Sequence, residues 1–166
     1  DIILHFVHSA VETVDAVGVS VLSEKVDIAN ARLTFASGCV ANITASRVTA
    51  KTMQKIRFFG VEGYHAVDYG KRKLVSLGRG IGPAGQVTIT ENPVEIKMQD
   101  PLEEEIRAFF GSVASRRPPA VSGREGRAAL ELALAINDAI ARNRARSPLL
   151  SPFIPAEPTA GGRTAP

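Results

Sequence analysis

The sequence predicts an α+β fold: a mostly antiparallel open sheet with helices packed on one face and the other face used for oligomerisation. Three observations carry that prediction. The stretch Val26 to Val48, VDIANARLTFASGCVANITASRV, reads as two strands joined at Ala36-Ser37-Gly38. Further strand patterns follow with only tight turns between them, so successive strands run antiparallel. Two capped helical segments come after the strands rather than between them, which argues against parallel crossover units.

The elements follow in order. The chain starts at Asp1 in the middle of a helical pattern, with Ile2, Ile3, Phe6 and Val7 at helical spacing and no capping residue before them, so it reads as an N-terminally truncated domain whose first helix ends near Ala10. No basic segment precedes those apolar residues, which makes a signal peptide a poor reading. Val11 to Val19 alternates as a strand. In the central hairpin, a three-residue loop with Gly38 in the left-handed position sets Phe35 opposite Cys39. Ala29, Ala31, Leu33 and Phe35 then share a face with Cys39, Ala41, Ile43 and Ala45, and this apolar face requires a cover. Ile28, Asn30, Arg32 and Thr34 share the other with Val40, Asn42, Thr44 and Ser46. A two-residue loop would mix the two sets. Cys39, the lone cysteine, falls on the apolar face and reads as a buried small hydrophobe in a reducing compartment.

Met53 to Phe59 is the next strand, and Gly60 to Gly63 is a tight turn into His65 to Tyr69. A turn at Tyr69-Gly70-Lys71 leads into Lys73 to Leu77. Gly78 to Gly85 reads as a flexible loop, and Gln86 to Met98 as an edge strand interrupted at Pro93. Asp100, Pro101 and Glu103 form a helix start, with Leu102, Ile106, Phe109, Phe110 and Val113 as the apolar face. Ser122 and Glu125 form a second capping box. The long helix after it presents Ala129, Leu130, Ala133, Leu134, Ile136 and Ile140 toward the sheet. From Ser147 on, the Pro- and Gly-rich tail is expected to be disordered, so the domain is 1–146 and the tail 147–166.

Composition narrows the function. With 45% hydrophobic and 22% charged residues and no apolar run near the roughly 20 residues that cross a bilayer, the chain reads as a soluble, cytoplasmic protein with no membrane partner. The net charge of +3 is dispersed, and the Arg142, Arg144 and Arg146 run fits a helix C-terminus better than nucleic acid. Gly80 to Gly85 spells G-x-G-x-x-G, yet a strand pattern rather than a helix follows and Pro83 removes an amide, so no dinucleotide site is expected there. Asn42-Ile43-Thr44 matches a glycosylation acceptor but lies inside a strand. His5 and His8 share a helix face without further ligands, and His65 lies in a distant strand, so no metal site is expected. Glu103, Glu104 and Glu105 fan around a helix start rather than converging on an acid/base pair. Ser46 and Arg47 leave the end of the central strand, where the planar fork of Arg47 can meet a carboxylate or phosphate of a ligand or close a salt bridge.

Taken together, DIILHFVHSAV, VDIANARLTFASGCVANITASRV, QKIRFFGVEGYHAVDY and SGREGRAALELALAI resemble the C-terminal domain of the Gfo/Idh/MocA-type oxidoreductases, over Asp1 to about Arg142. The resemblance implies a two-domain enzyme. An N-terminal Rossmann domain would bind NAD or NADP, while this domain shapes a sugar pocket and pairs with another subunit through its open sheet face. It also implies a catalytic Lys in a Glu-Lys-Pro motif and a His at the helix opening this domain. Neither has a counterpart here; the His would fall just before Asp1, and His5, one turn on, does not inherit its role. Hydride transfer needs the nicotinamide, so the chain by itself is expected to bind no cofactor and to be inactive. The expected function is therefore the substrate-binding and oligomerisation domain of an NAD(P)-dependent oxidoreductase acting on a sugar, nucleotide sugar or cyclitol hydroxyl. Arg47, Ser46 and Asp1 are its candidate substrate-binding residues, and no catalytic, cofactor or metal residue is assigned. The alternative is a stand-alone, non-catalytic dimerisation module that uses the open face.

Overall fold

A computed structural model describes residues 1–96 and 99–146. The expectations for Met98 and for the 147–166 tail lie outside the described residues. The chain divides into two compact units, one comprising Asp1–Thr49 with the chain from Val121 onward, the other Ala50–Ala120. Both carry an open antiparallel sheet beside helices, so the α+β class holds, with the strands divided between two sheets.

In the first unit, α1 (Ile2–Phe6) leads into β1 (Val11–Val19), which pairs with β2 (Ile28–Phe35), which pairs with β3 (Val40–Ser46). Thr34 stands opposite Val40 and Ile28 opposite Ser46, the register that a three-residue loop requires. Gly38 adopts φ +82, its amide donates to the Phe35 carbonyl at 2.8 Å, and the Phe35 amide donates to the Cys39 carbonyl at 2.9 Å. The faces therefore separate as the alternation demands: Ala31, Leu33 and Phe35 are buried. Here α3 (Gly123–Arg146) is the cover, since Ala139 and Ile140 form one cluster with Ala16 and Ala31. Gly18 permits the close approach; a Cβ there would lie 2.7 Å from Ile140 Cγ2. Asn143 fastens the helix to β1, its Nδ2 donating to the Ala16 carbonyl at 2.7 Å and to Asp15 Oδ1 at 3.2 Å.

Three expectations fail in this unit. Leu130 and Leu134 do not cover the sheet but are exposed, and it is Ile136, Ala139 and Ile140 that pack. An alanine-lined sheet face accepts a helix only at short range, and small residues allow that approach. Cys39 is exposed rather than buried. It leads into β3, an edge strand of the sheet, whereas Phe35 opposite it lies on the central strand β2 and is buried. The first helix also stops earlier than expected, at Phe6.

The second unit is a meander: β4 (Lys55–Gly60), β5 (Gly63–Asp68), β6 (Lys73–Ile81) and β7 (Val87–Glu91). Gly60 faces Gly63 across the expected tight turn. At the next turn Arg72 takes φ 49, and Asp68 accepts the Lys71 amide at 2.9 Å and the Lys55 ammonium at 3.2 Å. Gly78 to Gly85 is not a flexible loop. Strand β6 continues through Ile81, pairing Arg79 with Ile89, and only Gly82–Gln86 turns, with Gly85 at φ +79. Ladder bonds to β7 outweigh the weak strand preference of glycine. In α2 (Pro101–Ser115), Asp100 Oδ1 caps the Leu102 and Glu103 amides at 2.9 and 3.2 Å. The capping box of α3 forms as well, Glu125 Oε2 accepting from the Ser122 amide at 2.8 Å.

Candidate functional site

Ser46 ends β3, and Arg47 leaves it opposite Asp27, whose carbonyl accepts the Arg47 amide at 3.0 Å. Asp27 closes the connection between β1 and β2 from inside. Its side chain is fully buried while that of Arg47 is about half exposed. One carboxylate oxygen, Oδ2, accepts the Val21 and Leu22 amides, both at 2.7 Å. The other, Oδ1, takes Arg47 Nε. Those two amides, Leu22 first and then Val21, outweigh burial and, with Arg47 adding to them, lower the Asp27 pKa from 3.8 to about 2. Arg47 Nη2 also donates to Ser23 Oγ at 2.8 Å, and Arg144 reaches Ser20 Oγ at 3.0 Å from α3. The ends of β1, β2 and β3 thus converge on one ionised carboxylate, and α3 reaches the same β1–β2 connection at Ser20.

Among the three candidate residues, Ser46 and Arg47 are adjacent at this end of the sheet, and Ser46 Oγ accepts the Val48 amide at 3.3 Å. Asp1 enters from the other end. It occupies the N-cap position of α1 with no side-chain cap bond, and its chain joins the sheet where the Ala36 amide meets the Ala10 carbonyl at 2.9 Å. No hydrogen bond or ion pair joins Asp1 to Ser46 or Arg47 among the described residues. Asp27 was absent from the sequence-based candidates, although the predicted hairpin register already places it opposite Arg47.

The open face of the same sheet is a shallow groove of about 260 Å³ lined by Asp15, Val17, Asn30, Arg32, Asn42 and Thr44 among others. Asp15, Arg32 and Asn42 form one cross-strand row, and Val17, Asn30 and Thr44 the next. Its polar groups are paired laterally: Arg32 Nη1 donates to Asn42 Oδ1 at 3.2 Å, and Thr44 Oγ1 to Asn30 Oδ1 at 2.8 Å. Asn42, the residue in the glycosylation pattern, is therefore a mid-strand partner of Arg32.

The Gly80 to Gly85 stretch does not have the geometry of a pyrophosphate cradle. In the Gly80 to Gly85 stretch the Gly82 amide donates to the Gln86 carbonyl at 2.8 Å, the Gly85 amide to the Gly82 carbonyl at 2.9 Å, and the Ala84 amide to Gln86 Oε1 at 3.0 Å. These amides close a strand-turn-strand hairpin, and no helix N-terminus follows to receive a pyrophosphate. Among the described residues, no group of three His, Cys, Asp or Glu could hold a metal ion, and no helix is long and apolar enough to cross a membrane.

No family model matches the chain. UDP-N-acetylglucosamine 3-dehydrogenase of Acidithiobacillus ferrooxidans is 34% identical over 143 residues, covering 84% of this chain and 46% of that protein. The solved structure of that enzyme, GnnA, superposes with a TM-score of 0.76 at 31% identity, over 84% of this chain and 43% of the other. Aldose-aldose oxidoreductase from Caulobacter crescentus gives a TM-score of 0.68 over 86% of this chain and 42% of the other at 20% identity, a likeness that shows the fold alone. The chain thus spans less than half the length of the relatives it matches. The 34% identity to a nucleotide-sugar dehydrogenase over 84% of the chain, with the superposition on that enzyme, places the chain in the Gfo/Idh/MocA-type oxidoreductase family.

Proposed function

We propose that the chain is the C-terminal, substrate-binding and oligomerisation domain of a cytoplasmic NAD(P)-dependent oxidoreductase that acts on a sugar, nucleotide sugar or cyclitol hydroxyl. The observation that carries this reading is the match to a nucleotide-sugar 3-dehydrogenase over 84% of this chain but only 46% of that enzyme. NAD or NADP belongs in this reading to the other half, because the glycine hairpin here spends its amides on itself. This domain supplies the pocket rim, with Ser46 and Arg47 at one end of the sheet and Asp1 on the helix that enters from the other. The open face meets a second copy of the chain. Its lateral pairs, Arg32 with Asn42 and Thr44 with Asn30, satisfy part of the polar surface that a second copy would cover. Val17 and Val40 on the same face supply apolar area.

The test is to express the full reading frame that contains this chain and to follow nicotinamide reduction with UDP-N-acetylglucosamine, simple aldoses and cyclitols. Turnover of one of these by the whole protein, with no calorimetric NAD or NADP binding by this chain at millimolar cofactor, is the expected result. Micromolar cofactor binding by this chain alone would refute the assignment of the cofactor to the other half. A reading frame that starts immediately before Asp1 and turns over none of these substrates would leave the non-catalytic dimerisation module as the function.

A further inference from the structure

Helix α2 carries Leu102, Ile106, Phe109, Phe110 and Val113 along one stripe, and each is between 48% and 65% exposed. None of its residues is buried. The helix is nevertheless fully formed: Asp100 caps it, and Glu103 pairs with Arg107 at 2.6 Å one turn apart. Phe109 and Phe110 stack edge to face with centroids 5.8 Å apart, making one compact aromatic knob. The contrast with α3 is direct, since α3 buries Ala139 and Ile140 against its sheet. Single exposed apolar residues are ordinary on a protein surface, but five large ones in a row on one helix mark a contact face.

The length of the related enzymes points to the occupant. The chain spans 46% of the nucleotide-sugar dehydrogenase it matches, so a body of comparable size belongs to such an enzyme beyond this chain. We propose that the α2 stripe is the docking face for that remaining half of the full-length polypeptide, which offers an apolar groove to the Phe109–Phe110 knob. The proposal rests on the reading of the chain as one half of a dehydrogenase. A covalently joined half is held at a high effective concentration, so the stripe is covered in the enzyme without a second molecule having to find it.

Hydrogen–deuterium exchange on the isolated chain and on the full-length protein tests this. The amides of 106–113 are expected to exchange at least tenfold more slowly in the full-length protein. Phe109→Ser with Phe110→Ser should abolish that slowing yet leave exchange in the isolated chain unchanged; Phe109→Ala serves as the milder variant if the double one does not fold. Equal exchange in both proteins would overturn the docking proposal, and leave the dehydrogenase reading standing wherever the full-length protein still turns over a sugar. Slowing that grows with concentration in the isolated chain would assign the stripe to a second copy. Slowing at every concentration would mean that the chain covers its own helix. Either result overturns the proposal. A reading frame with no further half would overturn both readings.

Discussion

Gly18 offers the sharpest test of how α3 is held. A methyl group there would sit 2.7 Å from Ile140 Cγ2 and 2.8 Å from Val26 Cγ1, so Gly18→Ala demands a retreat of about 0.7 Å before ordinary contact is restored. Ile140 has little room to retreat, because it is buried in one cluster with Ala16, Ala31 and Ala139, and Asn143 ties the next turn to β1. Overpacking of this kind costs about 1–3 kcal/mol. The restricted unfolded chain offsets about 0.4–1 kcal/mol of that. Urea unfolding should therefore show a net loss of about 1–2 kcal/mol with an unchanged slope. Ile140→Ala costs about 2–5 kcal/mol by itself. In that background Gly18→Ala should cost distinctly less, although Val26 still resists the methyl, with a coupling of about 1 kcal/mol between the two sites. The same loss in both backgrounds, or a gain in the parent, would refute the contact between β1 and α3 at Gly18.

Other outcomes follow from the same structure. Leu33, which is 0% exposed, should lose about 2–5 kcal/mol as Leu33→Ala in urea unfolding. Asp27 titrates near 2 in the folded chain and near 3.8 when unfolded, so its contribution is complete above pH 3.8 and is lost as pH falls through 2; Asp27→Asn should flatten the unfolding midpoint across that window. Val40→Lys with Ile28→Lys should convert the proposed oligomer to monomer in light scattering, and a monomeric parent would sink the interface. In the proposed full-length dehydrogenase Arg47→Lys should raise KM for the substrate that it turns over at unchanged stability, and unchanged kinetics would leave Arg47 structural.

The hairpin was legible because side-chain period and turn chemistry are local. A Ser-Gly loop and two alternating strands admit one register that sets Ala31 and Leu33 beside Ile43 and Ala41 rather than beside the polar residues of β3, and the structure has it. Asp100 and the Ser122–Glu125 box were equally readable, since a cap is decided within four residues. What escaped depended on partners distant in sequence. Strand β6 runs through two glycines because β7 pairs with it, and glycine in isolation reads as a break. On α3 two stripes compete; the leucines look like the core, but the alanines of the sheet select the row ending in Ala139 and Ile140. Asp27 was within reach, since the register that set Phe35 against Cys39 also sets Asp27 against Arg47.

That pairing makes structural and ligand roles compatible for Arg47. A guanidinium has five N–H donors. Asp27 takes Nε and Ser23 takes one donor of Nη2, while the side chain as a whole is about half exposed. The buried carboxylate fixes the plane of the fork, so an anionic ligand group would meet donors already oriented, at little entropic cost. Removing Arg47 outright would confound the two roles, because Asp27 would be left buried without its counter-charge. Lysine separates them: it returns a positive charge to Asp27 but cannot present two parallel donors outward. Hence a loss confined to KM in Arg47→Lys reports ligand recognition, and a loss of stability reports the clamp.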